Sequence, residues 1–399
     1  MSRLMASKKT VGAVLLLISL QTCLTGCWGK REINEMSFIS GIGIERTESG
    51  QVELSVQIPL PMQTGGGQPG EANPGKNLVQ SAIGINMADA LSKLQLKLSN
   101  QLFLAHNRVL ILGERIVKQG FREEVDFFTS HPGTRLRTYV FATKGDPKLV
   151  LGLTAPNERS SAEILREMAV QHREVRGVTL KHIIIASSQG LGGIQIPRIE
   201  VTKAQPDKEG QTQGISVNGA VVVRGYKQSG DLSAQQVYPV PWIRNIEDSR
   251  MITVPIRKTG GWISFYLLKV HTVMQPRFQG QERIIEFRIK AQTNVIQNGT
   301  VLNLMNTDVL ERVEEELNKS IEQQVKQTMK AVLRNCKTDL FDFHDLLRRK
   351  QPAEWRKLQN QWQEVLPTIT IQVSADCTIR RSGMSNAPIG IPKEGVKGK

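Results

Sequence analysis

From Phe38 to Pro59 the chain runs through two apolar-polar alternations, "FISGIGIE" and "QVELSVQIP", separated by the turn-forming residues Thr47 to Gly50. In the second, Val52, Leu54, Val56 and Ile58 recur at every other position. Period two on both sides of a turn predicts a β-hairpin. "QTGGGQPGEANPGK" (Gln63 to Lys76) carries almost no apolar side chain and reads as a flexible surface loop. Met87, Leu91, Leu94 and Leu98 then fall at helical spacing. Beyond them "RVLILG" predicts a buried strand, "FREEVDFFTSHPG" a short helix ending at Pro132, and "TRLRTYVFATKG" another strand. A helix follows from about Glu158 to His172, with Ala162, Leu165 and Ala169 as its core face.

Between Ile199 and Gly214 the chain turns polar, which predicts a domain boundary. "ISVNGAVVVRGYKQSGDLSA" then opens a hairpin-rich unit. Two strand-like regions fill Trp262 to Asn298, where Ile285, Phe287 and Ile289 alternate with Glu286, Arg288 and Lys290. Asp308 and Glu311 form a candidate capping box for a long helix. Its stripe is Leu310, Val313, Leu317, Ile321, Val325, Met329, Val332 and Cys336. Glu311, Glu314, Glu315 and Glu316 near its start, and Lys326, Lys330 and Arg334 near its end, complement the helix dipole. The last strand, "TITIQVSADCTIRRSG", places Ile369, Ile371, Val373, Ala375, Cys377 and Ile379 on one face. A one-sided helix and a one-sided strand bury each other. The expected fold is α+β: several mixed sheets with packed helices, ending in an antiparallel sheet covered by a long helix.

The first residues follow a different logic. Arg3, Lys8 and Lys9 precede the apolar run "VGAVLLLISL", a signal-peptide pattern too short for the roughly 20 apolar residues of a membrane span. Leu24-Thr25-Gly26-Cys27 is similar to the bacterial lipobox, in which the cysteine thiol receives diacylglycerol. Trp28 suits either a membrane interface or a first core contact. Loss of residues 1–26 lowers the formal charge only from +15 to +12, a balance drawn to anionic headgroups or cell-wall polymers. The bases are spread along the chain, without an Arg-rich arm, zinc-finger spacing or aromatic ribonucleoprotein motif, so nucleic acid is discounted. The partition expected is signal peptide 1–26, N-terminal domain 27–200, middle domain 213–258, C-terminal helix-on-sheet domain 259–383 and flexible tail 384–399.

Enzyme chemistry finds little support. No pair of the six histidines makes a metal-ligand spacing, and G-x-S-x-G and Walker A sequences are absent. No cofactor is expected. "GIG" at Gly41 to Gly43 and "GLGG" at Gly190 to Gly193 read as structural turns. Asp339, Asp342 and Asp345 cluster with His344; at helical spacing they predict a solvated face or a helix cap before a metal or acid-base site. Cys336 and Cys377, placed on the helix stripe and the strand face, leave two readings open: a disulfide, or two free buried thiols.

Laid out this way, the chain resembles the Ger(x)C family, the lipoprotein C subunit of bacterial spore germinant receptors. "CWGKREINE" with "SFISGIGIE" resembles its opening motif. "AHNRVLILGERIVKQGFREEVDFFTSHPGTRLRTYVFATKG" is similar to a family segment through His106, Gly113, Glu114, Gly120, Arg135 and Arg137. "GAVVVRGYKQSGDL" matches the start of the C-terminal half at Gly219, Gly230 and Leu232. "KTDLFDFHDLLRRKQPAEWRKLQNQW" supplies the paired Trp355 and Trp362 before a strand closing at Gly383. Asp342 and His344 stand where the family usually has glycines, and the two cysteines lie outside its pattern.

The resemblance implies a three-domain, non-enzymatic protein, lipid-anchored through Cys27 on the outer face of the inner spore membrane. It would work with an A subunit carrying membrane spans and a permease-like B subunit. The alternative is a solute-binding lipoprotein serving a transporter, a class that usually shows repeated βαβ units and two lobes around a cleft.

Overall fold

The computed structural model describes residues 33–60, 77–153, 160–171, 177–188, 190–203, 213–246, 250–257, 260–279 and 281–381. Cys27 and Trp28, the signal-peptide pattern, the loop at 63–76 and the tail at 384–399 lie outside them.

The expected first hairpin is formed by β2 (Gly41–Arg46) and β3 (Val52–Pro59), which pair antiparallel. Val52, Leu54, Val56 and Ile58 are all buried, as period two requires. β4 (Asn77–Gly84) extends the hairpin, and helix α1 (Met87–Gln95), capped by the Asn86 side chain, packs Met87, Ala90 and Leu94 inward. β6 (Val109–Leu112) and β7 (Tyr139–Thr143) are short, largely buried strands, and β6 pairs in parallel with β2 on one side and with β7 on the other. Their connection carries α2 (Glu114–Gln119) and α3 (Arg122–Ser130). A separate parallel pair, β1 (Met36–Phe38) and β5 (Gln101–Phe103), lies beside the sheet. Beyond β7 come α4 (Pro147–Leu151), α5 (Ser161–Gln171) and α6 (Leu180–Ser188). Ala162, Leu165 and Ala169 of α5 are buried as the spacing predicts.

Helices occupy both sides of this sheet. The cluster with α1, α2, α3 and α6 contains Ile42, Ile44, Leu110, Leu112 and Val140, whereas Val109, Ile111 and Phe141 point into the cluster with α4 and α5. This is how a central parallel strand buries every residue.

The structure departs from the expected boundary between Ile199 and Gly214. β8 (Ile194–Lys203) joins β7 in parallel, and β9 (Gln213–Arg224) lies antiparallel beside it, with Lys203 opposite Gln213. β9 and β10 (Lys227–Leu232), expected to open a middle domain, therefore complete one eight-stranded sheet ordered β10-β9-β8-β7-β6-β2-β3-β4. A polar stretch between two strands marks a connection, and only pairing tells whether it leaves the sheet.

The C-terminal unit is a four-stranded sheet ordered β11-β12-β13-β14. β11 (Met251–Pro255) edges the long hairpin of β12 (Trp262–Gln279) and β13 (Glu282–Asn298). Helix α7 (Thr307–Lys330) covers the sheet and continues into a π-helical turn at Ala331–Asn335. Every residue of the anticipated stripe packs inward, Leu310 partly and the others fully buried. Asn306, two residues ahead of the expected cap, closes the helix by accepting the N–H groups of Asp308 and Val309 at 2.9 and 3.3 Å. Sheet and helix stand as expected in an α+β fold, with one correction: β14 (Thr370–Arg381) runs parallel to β13. Three strands are antiparallel neighbours, but the path through α7 provides the long crossover that a parallel pair needs.

Candidate functional site

The two sheets meet at the segment that follows α7. Cys336 packs against Gly230 of β10 so closely that a Cβ added there would fall 2.6 Å from its sulfur. Thr338 Oγ1 donates to Ser229 Oγ at 2.8 Å, and Arg224 of β9 donates to the carbonyl of Lys337 at 2.9 Å. Gly193, just before β8, donates its N–H to the carbonyl of Asp339 at 2.9 Å. Its position tolerates no side chain, since a Cβ would lie 2.2 Å from Thr338 Cγ2. "GLGG" is thus the place where one sheet's backbone approaches the other unit.

Asp339 is fully buried at the centre of this joint. Its carboxylate accepts the backbone N–H groups of Phe341, Phe343 and His344 at 3.3, 3.0 and 2.9 Å, and faces His344 Nδ1 at 2.8 Å. Four donors on one carboxylate offset the cost of burying its charge. It caps the start of α8 (Phe343–Lys350), which matches the helix-cap reading. The exposed-face reading fails because α8 begins only at Phe343, so helical spacing does not apply to Asp339 or Asp342. Asp342 is exposed at φ 58°, in the left-handed region where glycine is the usual residue. Asp345, half-buried, pairs with Arg348 at 2.7 Å.

Burial alone would lower the His344 pKa, but the hydrogen bond to Asp339 and the charges of Asp339, Asp345 and Asp342 outweigh it and hold it above the ordinary value. Its ring lies 6.3 Å from Trp355 of α9 (Pro352–Leu358), which stacks edge-on against Trp362 at 5.3 Å. The paired tryptophans therefore sit in the wall behind this histidine, both buried. In the sequence the only signal for the joint was a carboxylate embedded among Leu340, Phe341 and Phe343.

Cys336 and Cys377 are both free and buried, not bridged. The N–H of Cys377 bonds the Asn318 side chain, and 18 residues of helix separate Asn318 from Cys336, roughly 27 Å at 1.5 Å per residue. A disulfide needs Cα atoms within about 7 Å. Burial pushes the Cys336 thiol up to about 11 and the Cys377 thiol to about 12. Neither is a nucleophile at neutral pH. Among the described residues no cluster of His, Cys, Asp and Glu could hold a metal ion, and no helix is long and apolar enough to cross a membrane. The joint is built to fix the relation between two sheets.

Two family profiles match the chain. One, described as "Spore germination protein N-terminal domain", covers residues 29–201, and the other, "Spore germination B3/GerAC like, C-terminal", covers residues 218–383. The gap between them falls between β8 and the body of β9, inside the shared sheet. The chain is similar to Spore germination protein KC of Bacillus subtilis (strain 168), with 27% identity over 96% of this chain and 98% of that protein. It is also similar to Spore germination protein B3 of the same organism, with 24% identity over 90% of this chain and 94% of that protein. The crystal structure of the GerBC protein superposes with a TM-score of 0.53 at 19% identity, over 87% of this chain and 99% of that one.

Proposed function

This chain belongs to the Ger(x)C family of spore germination proteins, and we propose from that premise that it is the non-enzymatic, lipid-anchored C subunit of a spore germinant receptor. The observation that carries the reading is end-to-end similarity: a spore germination protein is matched over 96% of this chain and 98% of its own length. In this reading Cys27 holds the protein on the outer face of the inner spore membrane. Two acyl chains, at about 0.8 kcal/mol per buried methylene, suffice for durable attachment. The partners are an A subunit with membrane spans and a permease-like B subunit, and the chain contributes assembly or signal relay. A rigid joint centred on a buried, fully bonded Asp339 suits relay between two units better than ligand capture.

The test is dipicolinic acid release from spores lacking the gene, across amino acids, sugars and nucleosides, with complementation by wild type and by Cys27→Ala. Loss of one nutrient response, restored by wild type and poorly by Cys27→Ala, is expected. A full set of responses in spores lacking all paralogous C subunits as well would sink the reading.

A further inference from the structure

The face of the C-terminal sheet turned away from α7 is open to solvent, and one end of it is apolar. Met251 lies opposite Tyr266 and Pro255 opposite Trp262 across β11 and β12, so their side chains share that face. Trp262 is 59% exposed, Met251 61% and Ile296 57%.

The β12-β13 ladder is broken twice, and both breaks fall in this patch. Ser264 pairs with Gln297 and Phe265 with Val295, leaving Ile296 as an extra residue; Leu267 pairs with Thr293 and Lys269 with Gln292, leaving Leu268. Each extra residue is a large aliphatic side chain turned outward. Bulges re-aim side chains at a cost in ladder hydrogen bonds, and these two turn an isoleucine and a leucine towards solvent. Tryptophan, tyrosine and methionine are the side chains enriched where protein interfaces concentrate binding energy.

Beside the patch the face is basic. Lys269, Arg288, Lys290 and Arg380 point outward against Glu286 and Asp376, and Glu286 is already held by Arg277 and Arg288 at 3.2 Å each. A second copy would bring the same cations face to face, which disfavours self-association. The complementary surface is apolar and flanked by carboxylates.

We propose that this face docks the extramembrane part of a partner receptor subunit through an apolar segment flanked by carboxylates. The inference rests on the reading of the chain as a receptor subunit and specifies which surface meets the partner. Trp262, Tyr266 and the two bulge residues supply the anchor, and Lys269 and Lys290 set orientation and approach.

The experiment uses the full tagged chain produced in spores, with membranes solubilised in mild detergent and co-purified A and B subunits quantified by mass spectrometry. Trp262→Ser combined with Ile296→Ser, and separately Lys290→Glu, are expected to lower recovery of a membrane subunit at least fivefold at unchanged chain level. Val170→Ser, exposed on the other unit, serves as control. If wild type recovers neither subunit, the receptor reading itself fails. If wild type recovers them and both patch variants do so equally well, the docking surface is wrong while the receptor reading stands. Variants that keep the subunits but lose flotation with vesicles of phosphatidylcholine and phosphatidylglycerol would assign the face to the bilayer and overturn the proposal.

Discussion

Glu314 of α7 accepts the backbone N–H of Ile379 on β14 at 2.7 Å, so a helix side chain completes the hydrogen bonding of an edge strand. Asn318 does the same for Cys377 at 2.8 Å, and Glu322 for Ala375 at 3.1 Å. Four helix residues rise about 6.0 Å and two strand residues about 6.6 Å, so three successive rungs stay in register as helix and strand run in opposite directions. The row of edge donors that would invite another strand is thereby occupied.

Glu314→Ala should cost about 1–2 kcal/mol, and the triple change of Glu314, Asn318 and Glu322 to Ala about 3–5 kcal/mol, because each buried N–H loses its acceptor. Urea unfolding measures the loss, and light scattering should show the triple variant associating through β14. A triple variant as stable and as monomeric as wild type would show that water replaces the rungs without penalty.

The His344–Asp339 pair makes stability depend on pH. The folded-state pKa of His344 is raised, so its contribution is complete below the unfolded value of about 6.5 and is lost as pH rises through the higher folded value. Melting temperature should therefore fall from pH 6 towards pH 9 more steeply in wild type than in His344→Gln. Asp339→Asn, which leaves three backbone donors and an imidazole competing for one amide oxygen, should destabilise by about 3–5 kcal/mol. Parallel pH profiles for wild type and His344→Gln would remove this pair from the account.

Gly230→Ala places a methyl group 2.6 Å from the Cys336 sulfur, and overpacking of this kind costs about 1–3 kcal/mol. Cys336→Ala vacates the space, so the double variant should recover much of the loss, giving a coupling energy of about 1 kcal/mol or more in a double-mutant cycle. Additive effects would mean that the close approach relaxes elsewhere.

Thiol chemistry gives a direct reading of both cysteines. With values near 11 and 12 and almost no solvent contact, Cys336 and Cys377 should resist iodoacetamide at pH 8 in the folded protein and react together after unfolding. Intact-mass spectrometry follows the label. Rapid labelling of either thiol in the native state would place it nearer the surface, and a mass two hydrogen atoms lighter before reduction would indicate a bridge.

Elements in which local periodicity and burial agree were legible in the sequence: the first hairpin, the stripe from Val313 to Met329, and the alternation of Ile285, Phe287 and Ile289. Each is a one-sided surface whose spacing follows from backbone geometry alone. Family membership was legible too, in short motifs spread in order along the chain. The tertiary structure decided what spacing does not encode. It decided that β9 and β10 complete the N-terminal sheet and that β14 joins β13 in parallel, because pairing depends on where a connection returns. It also decided that Asp339 is buried beneath Gly193 instead of exposed on a helix face, and that Cys336 and Cys377 lie too far apart to bond. Those facts depend on contacts between residues distant in sequence, which exist only once the two sheets have met.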